Sequence, residues 1–409
     1  MKKLLNNRVF LTITGADFFE TIGTSLFNII LLIYAKSFVH ANIMVSIVSV
    51  ASVLPGVLGM LTGQIADRTA DKRLWLIITK FIQGILYLIL AQLINRKQVF
   101  LLMIIILINV SSDLLGMYSS GLRMPIIQNK VPTDVQEQAV GINSGIATLM
   151  QVVGQAIGIS FLAINHDYQM AGYLNALSFF IAGFVLLSGY RTLKLQPIAA
   201  PARDFKKMLQ EIRVALEASS QIKAGKLLTS ILLLNAVGAS LDAIINLFLI
   251  DNESAVPFHF GVSILIINIV LVTGTILGSV LHTGFFQKLS FKLVMLLSII
   301  SLGLLFADLM FWKNFWIILI TLGLSGFGMG QANPKIMASL LKVADADIVG
   351  SLSGLLDSLA VMSIPIGSIG LVLIYNLINS QTAYLVAIML LIGCAFCLLL
   401  PNKKEPSLN

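Results

Sequence analysis

The chain has 409 residues, of which 57% are hydrophobic and 11% are charged, and its formal net charge is +8. This composition excludes a soluble globular protein, because apolar runs long enough to cross a bilayer recur along the whole chain. The basic residues lie in short segments between these runs, where they report membrane topology. We therefore predict a multi-pass membrane protein whose partners are the lipid bilayer and a small-molecule substrate, without nucleic-acid binding.

The first apolar run follows a basic N-terminal stretch, as in a secretory signal, but Asp17 and Glu20 interrupt it and no small-residue cleavage site follows. We predict a retained first helix. At about 20 residues per span, the hydropathy pattern predicts twelve transmembrane helices, near residues 8–35, 43–66, 74–95, 98–121, 139–163, 172–194, 226–250, 259–282, 292–311, 314–341, 348–376 and 382–400.

Basic residues set the predicted orientation, because they are enriched in cytoplasmic segments. Most fall on one side of the predicted spans together with both termini, so we predict that both termini are cytoplasmic, in a bacterial plasma membrane. The chain then divides into an N-terminal six-helix bundle (1–194), a cytoplasmic linker with an amphipathic helix (195–225), a C-terminal six-helix bundle (226–401) and a cytoplasmic tail (402–409).

The segment between the second and third helices carries a gating pattern. Gly59 and Gly63 lie four residues apart, so they share one helix face and permit close approach of another helix. Asp67 follows where the helix leaves the bilayer. The predicted gating residues are Gly59, Gly63, Asp67, Arg68, Lys72 and Arg73.

This segment resembles the loop between helices two and three of the major facilitator superfamily, whose pattern is Gly-x-Leu-Ala-Asp-Arg-x-Gly-Arg-Lys. The matching residues are Gly63, Ala66, Asp67, Arg68 and Lys72, whereas Ala70 and Asp71 depart from the pattern. The resemblance implies an all-α integral membrane protein with the major facilitator fold, in which twelve helices form two pseudo-symmetric bundles around a central site with alternating access.

The two halves also repeat each other, which independently favours a transporter. A shift of 215 residues pairs Gly59 and Gly63 with Gly274 and Gly278. A shift of 209 residues pairs Pro125 with Pro334, together with several later glycines.

Acidic residues inside the predicted spans are candidates for substrate or proton binding, since an intramembrane charge costs roughly 2.5–3.5 kcal/mol on insertion scales. We predict that Glu20, about 18 Å along the first helix and near mid-bilayer, carries the exchanged proton. Its symmetry mate is Asn235. The predicted substrate- and proton-binding residues are Asp17, Glu20, Asp113, Asn235, Asp242, Asn246 and Asp357.

The sequence gives little support for a nucleotide-binding, metal-binding or catalytic site. The glycines near Gly326 lack the preceding strand and the following Lys-Ser/Thr of a phosphate loop, and Cys394 and Cys397 lack a second ligand pair for a metal. No nucleophile and base pair is recognisable. We predict a monomer that is not an enzyme, with no metal and no cofactor, and with a proton gradient as its energy source.

A further resemblance is to the macrolide-efflux and drug:proton antiporter branch, in Val131-Pro-Thr-Asp134 and in part of the eleventh helix. Gly145, Gly154 and Gly158 partly match the antiporter pattern of helix five, but the arginine expected inside helix four is missing, with Arg123 only at the cytoplasmic end. We predict proton-coupled efflux of amphipathic or cationic molecules, including drug resistance. The alternatives are transport of a specific metabolite, siderophore or lipid, and a non-transporting membrane sensor.

Overall fold

A computed structural model describes residues 2–132, 135–194, 217, 223–280, 290–343 and 363–399. Within these residues the secondary structure is helical and contains no strand. The helices are α1 (Lys2–Leu5), α2 (Arg8–Lys36), α3 (Ala41–Arg68), α4 (Lys72–Leu93), α5 (Val99–Lys130), α6 (Gln136–Asn165), α7 (Tyr168–Ser188), α8 (Ala224–Asp251), α9 (Phe260–Val280), α10 (Phe291–Phe311), α11 (Phe315–Val343), α12 (Ile364–Leu377) and α13 (Ser380–Leu399).

Ten of the described helices are long and apolar enough to cross a membrane. The apolar parts of α3 and α12, Ala41–Gly56 and Gly367–Leu377, are shorter. The predicted multi-pass, all-helical character is thus confirmed, while the count of twelve spans stays a prediction. The predicted linker, the C-terminal tail and Asp357 lie outside the described residues, apart from Glu217 and the linker's last three positions.

Polar residues begin several of these helices by satisfying free backbone N–H groups. Asn7 accepts a hydrogen bond from the Phe10 N–H at 3.0 Å, and Asp71 accepts one from the Leu74 N–H at 3.2 Å. Asp167 accepts from two N–H groups at the start of α7. These caps place the helix boundaries within a few residues of those expected from hydropathy.

The chain divides into two compact units, Met1–Ala199 and Ala200–Asn409. In the first unit, α2 packs against α6 and α7, α4 packs against α5 and α7, and α3 packs against α5. Glycines permit the α2–α6 contact, since a Cβ on Gly158 would lie 2.7 Å from the Leu26 carbonyl oxygen. The charged residues described below lie between α2, α4 and α5.

In the second unit, α8 packs against α12 and α13, while α11 packs against α9 and α10. The backbones of α9 and α11 meet directly, because a Cβ on Gly274 or Gly278 would overlap the carbonyl groups of Gly323 or Phe327. Gly274 and Gly278 are the residues that the sequence repeat pairs with Gly59 and Gly63. In this unit the glycine pair therefore allows two helices to pack closely.

The fourth long helix differs from its predicted bounds. Helix α5 continues to Lys130, well past the expected end near residue 121, and it contains Pro125. A proline removes only one donor from the helix ladder, and a long helix tolerates this loss. The extension places Arg123 inside the helix, seven residues before its end, and its predicted position at the cytoplasmic end stays a prediction.

Candidate functional site

Four charged side chains meet inside the first unit, and we call Asp17, Glu20, Lys80 and Arg123 the charge cluster. Lys80 lies on α4 and is 1% exposed. Its ammonium group donates to Glu20 Oε1 at 2.5 Å and to Gln83 Oε1 at 3.0 Å. A lysine buried this deeply stays charged only where such partners compensate for lost hydration.

Arg123 supplies the second positive charge of the cluster. Its guanidinium pairs with Asp17 and lies 3.8 Å from Glu20 Oε2. Asp17 and Glu20 are three residues apart on α2, so their side chains point to the same helix face. Two carboxylates thus face two cations, and the cluster carries no net charge when all four are ionised.

Neutral groups complete the surroundings of the cluster. Asn143 on α6 donates to Asp17 Oδ2 at 2.8 Å, and Gln83 donates to the Ser112 carbonyl oxygen on α5 at 2.9 Å. Glu20 Oε2 is buried and accepts no hydrogen bond from the described residues. Attraction to the Arg123 guanidinium is therefore the main interaction that compensates Glu20 Oε2 for its lost hydration.

Asp113 on α5 has different surroundings. It accepts a hydrogen bond from the Asn109 amide at 3.0 Å, and Asn109 accepts one from the buried Tyr87 hydroxyl at 2.8 Å. Among the described residues no basic side chain forms an ion pair with Asp113. Asp113 is thus an intramembrane acid with neutral partners, unlike Asp17 and Glu20.

The second unit contains a cavity of about 400 Å³ between α8, α9, α10 and α11. Most of its wall is apolar. Three polar wall residues lie on α8, at the predicted positions Asn235, Asp242 and Asn246, and the Asn246 amide donates to Asp242 at 3.3 Å. The other polar residues in the described part of the wall are Asn268, Ser298 and Ser325, which the sequence had not indicated.

The gating segment is held by interactions of its basic residues. Lys72 donates to the Ala66 carbonyl oxygen at 2.6 Å, at the end of α3. Arg73 lies over the Tyr190 ring, 4.1 Å from its centroid, and reaches Asp71 at 3.3 Å. These contacts tie the α3–α4 turn to neighbouring helix ends.

The glycines of the gating segment lie where α3 meets α5. A Cβ on Gly59 would lie 2.7 Å from the Met117 side chain, and one on Gly121 would lie 3.7 Å from the Gly63 Cα. Arg68 is exposed, and the Asp67 side chain lies outside the described part of the structure. Its gating role stays a prediction.

The structure thus brings Asp17 and Glu20 together, places Asp113 on a neighbouring helix, and groups Asn235, Asp242 and Asn246 around the cavity. Sequence reasoning missed Lys80, although a signal was present, since it is a lone cation within the apolar run from Leu74 to Leu93. No comparable sequence signal marks Gln83 or Asn268, because amides are common in spans and their positions matter only after packing.

Sequence comparison finds no matching family model and no matching curated protein. Solved structures do match the fold. A point mutant of the nucleoside transporter NupG superposes with a TM-score of 0.68 at 18% identity, over 95% of this chain and 98% of that one.

Two further matches are peptide-transporter structures. The peptide transporter POT in complex with sulfate matches with a TM-score of 0.68 at 13% identity, over 95% of this chain and 94% of that one. A POT family transporter in complex with 5-aminolevulinic acid matches with a TM-score of 0.68 at 12% identity, over 96% and 95%. The chain therefore shares the fold of these solved transporter structures.

Proposed function

We propose that the protein is a secondary active transporter that exchanges a small molecule for protons by alternating access. The observation that carries this proposal is the charge cluster with nearby Asp113 inside a membrane-spanning helical unit. Each intramembrane charge costs roughly 2.5–3.5 kcal/mol on insertion scales, and such residues mark proton or substrate pathways. The fold shared with solved transporters supports transport. The substrate class, amphipathic or cationic drugs, comes from the sequence resemblance to drug exporters.

Asp113 is our candidate for the exchanged proton. Its described partners are neutral, so its ionised form has no cation to stabilise it, while its protonated form can remain within the same hydrogen bonds. Glu20, predicted for this role from the sequence, instead contacts Lys80 and lies near Arg123. Protonating Glu20 would leave these two cations facing Asp17 alone, which is costly in a buried site.

Helix α5 links the proton site to the charge cluster, because it carries both Asp113 and Arg123. The two residues are separated by about 15 Å along the helix. A rigid shift of α5 therefore changes the surroundings of both. Proton binding at Asp113 can in this way be coupled to the conformational change that moves the substrate.

The proposed substrates are amphipathic or cationic molecules that are exported. A second candidate is transport of one specific metabolite, which is favoured by the structural matches to a nucleoside transporter and to peptide transporters. The branch of macrolide exporters remains part of the first proposal. In both candidate functions Asp113 carries the exchanged proton. They differ in which substrate should drive proton movement.

The test uses the full chain in proteoliposomes with a pH-sensitive dye inside. Lipophilic cations, nucleosides and dipeptides are added in turn, and proton movement linked to substrate flux is measured. Asp113→Asn should abolish substrate-driven proton movement while downhill substrate exchange continues. Asp167→Asn is the matched control, because asparagine retains the helix cap at the exposed start of α7.

Two results would contradict the proposal. If no compound drives proton movement in the unmodified protein, proton-coupled transport of these classes is refuted. If Asp113→Asn keeps proton movement and Glu20→Gln loses it while still exchanging substrate downhill, the proton site returns to Glu20.

A further inference from the structure

We propose that the cavity of the second unit binds the transported molecule, and that Asp242 selects a small organic cation with one positive charge and an apolar body. The inference rests on the proposed transport function, because the ligand is taken to be the molecule that is moved. It concerns a single unit and its own helices α8 to α11. Four properties of the cavity support it.

The first property is size. A volume of about 400 Å³ lies within the range of roughly 300–1,000 Å³ that is usual for small-molecule sites. At Gly238 no atom lies within 4 Å of the position that a Cβ would take. The glycine therefore leaves space in the α8 wall, where most other residues would occupy part of the cavity.

The second property is charge. Among the described residues of the cavity wall, Asp242 is the only ionisable one. Its described hydrogen-bond partner is the neutral amide of Asn246 at 3.3 Å, and none of the ion pairs between described residues involves it. A carboxylate in apolar surroundings is stabilised by a cation that enters with the ligand, whereas a ligand carboxylate there would be repelled.

The third property is the arrangement of the neutral polar groups. Asn235 and Asn246 flank Asp242 along α8, and Asn268, Ser298 and Ser325 belong to the facing helices. The Ser298 hydroxyl already donates to the Val294 carbonyl oxygen at 3.3 Å, so its oxygen can accept from a ligand. Acceptors on several sides suit an ammonium group, which offers up to three N–H donors.

The fourth property is the apolar remainder of the wall. Ile267, Leu302, Leu322 and Met329 come from three different helices and enclose the space opposite α8. These side chains offer contact to an aromatic or aliphatic body but no hydrogen bonds. One charged end and one apolar end are thus complementary to the two sides of the cavity.

The experiment measures binding of three probes of nearly equal shape to the purified full chain in nanodiscs at equal pH on both faces. The probes are phenylbutylamine, phenylbutanol and phenylbutyrate. We expect the amine to bind most tightly and the carboxylate most weakly. Asp242→Asn should weaken amine binding roughly tenfold or more while changing alcohol binding little, since one charged partner is removed.

Gly238→Leu tests whether the cavity itself is the site. The leucine side chain enters open space and should abolish binding of the amine without disturbing helix packing. Gly303→Leu on α10 is the matched control, because its Cβ also meets no atom within 4 Å and it does not line the cavity. This control should bind the amine as the unmodified protein does.

Amine binding that survives Gly238→Leu, or the absence of any preference for the amine over the carboxylate, would overturn the inference. Failure of the transport proposal has a different signature, in which the amine binds through Asp242 but is not carried across the membrane. Conversely, proton-coupled transport that is indifferent to Asp242→Asn and Gly238→Leu would refute this site alone.

Discussion

Removing the charge of Glu20 while Lys80 remains should destabilise the protein more than removing both charges. Lys80 is 1% exposed and Glu20 12% exposed, and their charged atoms lie 2.5 Å apart. At an effective dielectric constant of about 20, unit charges roughly 4 Å apart already attract by about 4 kcal/mol. Loss of one partner of such a buried pair typically costs about 3–5 kcal/mol.

We therefore expect Glu20→Gln to lower the free energy of unfolding by about 3–5 kcal/mol. Lys80→Met should cost about 1–3 kcal/mol, because Arg123 still compensates Glu20 from 3.8 Å. The double variant replaces the pair by groups of similar volume and should fall within about 1–2 kcal/mol of the unmodified protein. The two single effects should thus be strongly non-additive, with a coupling energy of about 2–7 kcal/mol.

Reversible unfolding in mixed micelles of dodecyl maltoside and sodium dodecyl sulfate, followed by circular dichroism, measures these differences. The control pair is Asp71 with Arg73, whose atoms lie 3.3 Å apart but whose side chains are 44% and 17% exposed. Asp71→Asn keeps the helix cap and should cost at most about 1 kcal/mol. Additive single effects at Glu20 and Lys80 would refute the reasoning, since the pair would then contribute no mutual stabilisation.

The remaining predictions concern packing, topology and gating. Gly158→Val should lower the free energy of unfolding by about 1–3 kcal/mol, because its side chain would meet the α2 backbone. Gly145→Val is the control, since a Cβ there meets no atom within 4 Å, and it should unfold at the same detergent concentration as the unmodified protein. Amine labelling in intact cells should reach Lys97 from outside and Lys404 only after permeabilisation; outside labelling of Lys404 would contradict the twelve-helix topology. Asp67→Asn should slow transport severalfold and leave the substrate Kd unchanged, and loss of binding would show that Asp67 does more than gate.

Much of the architecture was predictable from local sequence properties. A helix that crosses a bilayer must be long and apolar throughout, so hydropathy alone located α2, α4 and α10 within a few residues. The acids at Asp17 and Glu20 were recognised for the same reason, since each stands out against an apolar background. The end of α5 was misplaced, because a span of about 20 residues ends near residue 121, whereas the helix itself continues to Lys130.

The choice of partners for these charges was decided by helix packing. Lys80 lies sixty positions from Glu20 in the sequence. Lys80 and Arg123 reach the acids of α2 only because α4 and α5 pack with the helices around α2. The sequence indicated Asn235, Asp242 and Asn246 as candidate binding residues, but Asn268, Ser298 and Ser325 became neighbours of Asp242 only when three other helices formed a cavity with α8. Hydropathy measures how each segment transfers from water to lipid, whereas ion pairs and cavities depend on distances between segments, and those distances exist only in the tertiary structure.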